Sequence, residues 1–182
     1  RGDKTDKESE DERNIRYVKL YYVLKKINAD IYCLQEVDKI ANMYLQNVFK
    51  DIGYNSYYVF NDPDNGLLTL WKDIYICKKK FKRNITKKYH TIDKEHKHTY
   101  PKNSQLAQYL FLEEKDNIKK NIMIINTRLW GHPDRSNVRI DELKNIINIR
   151  LHSKVIICGD FNEPDYIKIK DIIKNRLKLY ED

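Results

Sequence analysis

A layered α/β fold, with helices packed on sheet faces, is predicted by three features of the sequence. Apolar residues recur at helical spacing near both ends of the chain, and short apolar runs bounded by turn residues fill its middle. The resulting order is helix–strand–helix, a run of strands, then helix–strand–helix, which suits helices covering sheet faces. The length of 182 residues fits one domain. A hydrophobic content of 41% excludes a wholly disordered chain despite 34% charged residues.

Taken in order, residues 1–13 alternate charges with almost no apolar content and read as a flexible lead-in, leaving 14–182 as the domain. Tyr17, Leu20, Tyr21, Leu24 and Ile27 predict a helix over 14–28, followed by a short buried strand from Ile31 that ends at Glu36. A second helix is predicted over 39–49, carrying Ile40, Met43, Tyr44 and Val48 on one side. Strands are predicted at 57–60, 67–71, 75–77, 106–112 and 122–126, with a turn at 61–66 rich in Asn, Asp, Pro and Gly. A third helix over 137–150 is capped by Ser136 or Asn137, and a strand at 155–158 precedes a last helix over 165–177. The basic, histidine-bearing stretch 78–102 has no clean period and reads as a long surface connection.

Three isolated cysteines, Cys33, Cys77 and Cys158, form neither a disulfide framework nor a zinc knuckle and read as buried small hydrophobes. That usage predicts an intracellular protein, cytoplasmic or nuclear. No run approaches the roughly 18 apolar residues that span a bilayer. A net charge of +8 favours an anionic partner.

Two strand endings carry the chemistry. Glu36 stands where an apolar strand emerges, and Asp160 and Asn162 stand in the same situation after Val155-Ile-Ile-Cys-Gly159. In layered α/β folds, sites gather beyond the carboxyl ends of strands. A hard carboxylate such as Glu36 can hold Mg²⁺ through oxygen and leave positions for water and phosphate. Asp160 can take a proton from the attacking water or orient it, and Asn162, both donor and acceptor, can hold a phosphate oxygen and that water together.

Leu34-Gln-Glu-Val37, then Ile125-Asn-Thr-Arg-Leu-Trp-Gly-His-Pro133 with Arg139 and Glu142, then Gly159-Asp-Phe-Asn162 resemble the DNase I-like endonuclease/exonuclease/phosphatase superfamily. The stretches 66–71 and 105–113 resemble its intervening strands. The Trp-Gly-His-Pro segment is most similar to the branch of poly(A) deadenylases and 2',5'-oligoadenylate phosphodiesterases. The resemblance implies a four-layer sandwich of stacked mixed β-sheets between helices, cut short at both ends in this segment. It also implies a Mg²⁺-dependent phosphodiesterase, with Mn²⁺ as a substitute, acting on RNA or an oligonucleotide. Glu36 is then the metal ligand, Asp160 and Asn162 the catalytic pair, and Asn126, Arg128 and His132 the substrate-binding residues.

Arg128 departs from the family, which has His at that place. Arginine cannot donate a proton near neutrality but can clamp phosphate bidentately. The family's opening strand ending in Asn and its closing Asp–His pair have no counterpart here. Two other functions compete: a lipid or inositol phosphate hydrolase of the same superfamily, and a non-catalytic relative that binds nucleic acid or a protein.

Overall fold

A computed structural model describes residues 8–62, 65–86, 105–131, 136–148 and 154–177. The elements are α1 (Glu10–Ile27), β1 (Ile31–Leu34), α2 (Lys39–Lys50), β2 (Tyr54–Asp62), β3 (Asn65–Lys72), β4 (Tyr75–Asn84), β5 (Leu106–Glu114), β6 (Asn117–Arg128), α3 (Ser136–Ile147), β7 (Lys154–Asp160) and α4 (Tyr166–Leu177). They form two sheets, in the orders β1-β3-β2 and β4-β5-β6-β7. The three-stranded sheet is antiparallel throughout, so the mixed character expected of both sheets belongs to the four-stranded one alone, where β6 and β7 run parallel. A parallel neighbour needs a crossover, and α3 supplies it.

Side-chain alternation sets the layers. On β3, Leu68 and Leu70 face a cluster with Tyr17, Leu24, Leu45 and Phe49 of α1 and α2, while Trp71 points the other way. On β5 and β6, Tyr109, Met123 and Ile125 meet Leu143 and Ile146 of α3, with Ile169 and Ile172 of α4 beside them. Their neighbours Leu110, Leu112 and Ile124 pack against Trp71 between the sheets. Central strands buried on both faces read as continuous apolar runs, and that is what made these strands visible. Each sheet is thus covered on its outer face by a helix pair. No helix among the described residues is long and apolar enough to cross a membrane.

Two boundaries differ from expectation. The first helix starts at Glu10, not at Asn14, because Ser9 and Glu12 close a capping box: the Ser9 hydroxyl accepts from the Glu12 N–H at 3.2 Å and Glu12 accepts from the Ser9 N–H at 2.9 Å. Residues 10–13 are therefore a first turn whose acids complement the helix dipole, not part of a lead-in. The fourth strand does not stop at Cys77 but continues to Asn84, so Lys78, Lys79, Lys80, Lys82 and Arg83 are strand residues and not loop residues. Among the described residues it is an edge strand, where exposed lysines discourage pairing with another chain. All three cysteines are half-buried and not sealed in the core. The rest of the expected basic connection, residues 87–104, lies outside the described residues, as does His132.

Candidate active site

Glu36 follows β1 by two residues and adopts φ 56°. The left-handed region costs a non-glycine residue about 1–2 kcal/mol, so the surroundings must enforce it. They do so on its C-terminal side. The Val37 N–H donates to the Gly66 carbonyl at 3.0 Å. The Asp38 carboxylate caps α2 by accepting from the Ala41 N–H at 2.8 Å and also accepts from the Tyr17 hydroxyl at 2.5 Å. Glu36 is pinched between strand and cap, with 58% of its side chain exposed.

The parallel pair supplies the other members. Arg128 lies opposite Asp160, and Thr127 opposite Gly159. Gly159 has φ 154°, and a Cβ there would meet the Thr127 carbonyl oxygen at 2.0 Å. Only glycine lets the two strands run this close before Asp160 emerges. Asn162 returns to the left-handed region at φ 49°. Its backbone N–H donates to Asp160 Oδ1 at 2.9 Å and its side-chain amide donates to the Leu129 carbonyl at 2.8 Å.

The two halves meet at one ion pair: Arg128 Nη2 lies 2.5 Å from Glu36 Oε1. Of the residues singled out in the sequence, Glu36, Arg128, Asp160 and Asn162 gather at one edge of the stacked sheets, each at or just past the carboxyl end of its strand. The two non-glycine residues here with left-handed backbone are both among them.

Asn126 does not join them. It is completely buried, and its side chain is spent on protein groups. The amide nitrogen lies 3.1 Å from Thr69 Oγ1, 3.2 Å from Gln108 Oε1 and 3.3 Å from the Leu34 and Leu68 carbonyls. Its oxygen accepts from Gln35 Nε2 at 2.8 Å. Alternation along β6 turns position 126 inward between the sheets, so the expected substrate contact is corrected to a support beneath the site. Gln35, Thr69 and Gln108 were missed as members of this cluster. The available signal was Gln108, an amide inside the apolar run 106–112, which burial obliges to find partners.

A second support lies under the loop after β6. Arg139 and Glu163 form a buried ion pair at 3.0 Å, with 1% of each side chain exposed. Glu142 accepts from the Trp130 N–H at 2.9 Å and from the Thr86 hydroxyl at 2.8 Å. Burial raises the Glu142 pKa above its ordinary value, outweighing those bonds. Trp71 is buried between the sheets, whereas Trp130 is half-buried.

What this edge offers a cation is oxygen: the Glu36 carboxylate, the Asp160 carboxylate and the Asn162 amide. Among the described residues no three His, Cys, Asp or Glu side chains form a ready ion-holding group. A donor set of one or two carboxylates completed by water and phosphate fits Mg²⁺ or Mn²⁺ and does not fit a structural zinc site.

Residues 6–176 match the family model described as Endonuclease/Exonuclease/phosphatase family. The chain belongs to this family. Its members are metal-dependent phosphoesterases. Among solved structures, the chain is similar to the 2',3'-cyclic phosphatase ANGEL2 in complex with adenosine-2',3'-vanadate. Identity is 19% and the TM-score 0.67, over 87% of this chain and 48% of that one. An endonuclease/exonuclease/phosphatase from Bacteroides vulgatus gives 18% identity and a TM-score of 0.70, over 87% and 63% of the two chains. Truncated TDP2 from Caenorhabditis elegans gives 18% and 0.61, over 84% and 57%. At these identities the likeness shows the fold. The chain spans about half the length of ANGEL2. No curated protein sequence matches it.

Proposed function

We propose that this chain carries the centre of a divalent-cation-dependent phosphodiesterase, using Mg²⁺ or Mn²⁺, whose substrate is RNA or an oligonucleotide in the manner of a deadenylase. The observation that carries this reading is the meeting of Glu36, Arg128, Asp160 and Asn162 at one edge, with left-handed backbone at Glu36 and Asn162. Glu36 would hold the cation, which when bound neutralises charge developing on the phosphoryl group. Asp160 holds the attacking water and accepts its proton. Asn162, its backbone N–H bonded to Asp160 and its side-chain amide donating to the Leu129 carbonyl, would hold that water with its amide oxygen. Arg128 clamps a phosphate oxygen. Its guanidinium does not give up a proton, so it stabilises the leaving oxygen by charge and not by protonation. Support for a polyanionic substrate comes from the net charge of +8 and from the exposed Lys78, Lys79, Lys80, Lys82 and Arg83 of β4. Three free thiols accord with a reducing compartment, cytoplasmic or nuclear.

The test is Mg²⁺-dependent cleavage of end-labelled single-stranded RNA by the full-length protein, with Glu36→Ala and Asp160→Ala as controls. Loss of either group removes several kcal/mol of transition-state stabilisation, so each variant should lose about three or more orders of magnitude in rate. Undiminished turnover by both variants defeats the assignment. Release of inorganic phosphate or phosphocholine from lipid or inositol phosphates, without RNA cleavage, would replace the substrate class while leaving the site in place.

A further inference from the structure

We propose that Cys33 and Cys158 form a redox couple, an intramolecular disulfide that ties β1 to β7 directly behind the site. Cys33 lies opposite Thr69 in the three-stranded sheet and Cys158 opposite Asn126 in the four-stranded sheet. Thr69 and Asn126 bond across the seam, Oγ1 to Nδ2, at 3.1 Å. Their two register neighbours, Cys33 and Cys158, are therefore brought to the same place on the seam between the sheets. β1 and β7 approach to within 8 Å between Cα atoms, closer than the roughly 10 Å usual for stacked sheets. A disulfide needs about 4.4–6.8 Å between Cα atoms, so closing it draws the two strands together. Both strands are outer strands of their sheets among the described residues, and both thiols are half-buried, so a small oxidant can reach them.

The oxidant is a peroxide. One thiol gives its proton and attacks a peroxide oxygen, breaking the O–O bond to leave a sulfenic acid and one water. The second sulfur attacks the first, the S–S bond forms, and a second water leaves with the remaining proton. Two thiols and one hydrogen peroxide thus become one disulfide and two waters, and a dithiol reductant returns the two protons and two electrons. The bridge sits three residues before Glu36 and two before Asp160, so drawing β1 toward β7 changes how those two acids face each other. The chemistry of the couple does not depend on the proposed phosphodiesterase activity.

Cys77, on β4 at the far edge of the four-stranded sheet, is an internal control; its thiol bonds to the Lys79 carbonyl at 3.5 Å. Full-length reduced protein is exposed to graded hydrogen peroxide, free thiols are blocked with N-ethylmaleimide, and a non-reducing digest is analysed by mass spectrometry. The expected result is one cross-linked peptide joining Cys33 and Cys158, with Cys77 alkylated. It should be restored to two alkylated cysteines by dithiothreitol and unaffected by Cys77→Ser. A titration in dithiothreitol redox buffers should show one two-electron transition for the pair. Separate oxidation of Cys33 and Cys158 with no joined peptide, or oxidation of Cys77 ahead of both, would overturn the proposal. A change in RNA cleavage is a separate reading, and its absence would leave the couple standing while removing its effect on the site.

Discussion

Replacing Arg128 by alanine should tighten binding of a divalent cation while weakening binding of substrate. The guanidinium contacts Glu36 at 2.5 Å, with 28% of the arginine and 58% of the glutamate side chain exposed. Solvent screening limits an ion pair this open to about 0.5–1 kcal/mol. A cation reaching for Glu36 must displace that pair and then sit beside a positive charge. Removing Arg128 lifts the first penalty and part of the second. At 1.4 kcal/mol per decade, the dissociation constant for Mg²⁺ or Mn²⁺ should fall about three- to tenfold. Isothermal titration without substrate reads this directly, so the result does not depend on turnover. The same variant should raise KM for RNA, because the phosphate clamp is gone, and should change folding stability by no more than about 1 kcal/mol. Arg128→Lys should fall between the two. Unchanged or weaker cation binding by Arg128→Ala would refute the reasoning, since it would mean that Glu36 is not the group the cation uses.

Glu163→Gln should cost about 3–5 kcal/mol in urea unfolding, because it removes the carboxylate that compensates the buried Arg139 guanidinium at 3.0 Å. Burial opposes ionisation of Glu163, but hydrogen bonds from Ser136 and Arg139 outweigh it and hold the carboxyl below its ordinary value. Its contribution is therefore present above the unfolded-state value of about 4.3 and is lost as pH falls through the lower folded-state one. Unfolding curves through this acid range should be steeper in pH for the native protein than for Glu163→Gln. Gly159→Ala should destabilise by about 3 kcal/mol or more, since its Cβ would overlap the Thr127 carbonyl at 2.0 Å. A thermal midpoint within a degree or two of the parent would contradict that geometry. Asn126→Leu should lower stability by about 1–3 kcal/mol for each buried partner left unsatisfied, with Gln35 and Gln108 the first affected. A variant as stable as the parent would show that the cluster is not built as described.

The layers were legible because β3, β5 and β6 are buried on both faces and so appear as mainly apolar runs, interrupted only by buried polar residues such as Thr69 and Gln108 and each too short to be a helix. The beginning of α1 was not legible from periodicity: its first turn is held by Ser9 and Glu12, and cap chemistry written in charged residues resembles a solvated tail. The extension of β4 was hidden for a related reason. An edge strand with one face open carries lysines where a central strand would carry valines. Within the site, Glu36, Asp160 and Asn162 were legible as polar residues where apolar strands end. The Arg128–Glu36 contact was not, because it arises from how two sheets stack and not from any local spacing. The inward face of Asn126 followed from strand parity, which its place in a family-like segment obscured.

The central claim is that three chain segments, far apart in sequence, surround a single cation position. Fe²⁺ substituted for Mg²⁺ in the full-length protein, with ascorbate and peroxide, generates hydroxyl radicals that cut the backbone nearest the bound ion. The account predicts cuts around Glu36, around Arg128–Leu129 and around Asp160–Asn162, all suppressed by excess Mg²⁺ and all lost together in Glu36→Ala. Cuts at only one of these segments, or a pattern that Glu36→Ala leaves unchanged, would contradict it.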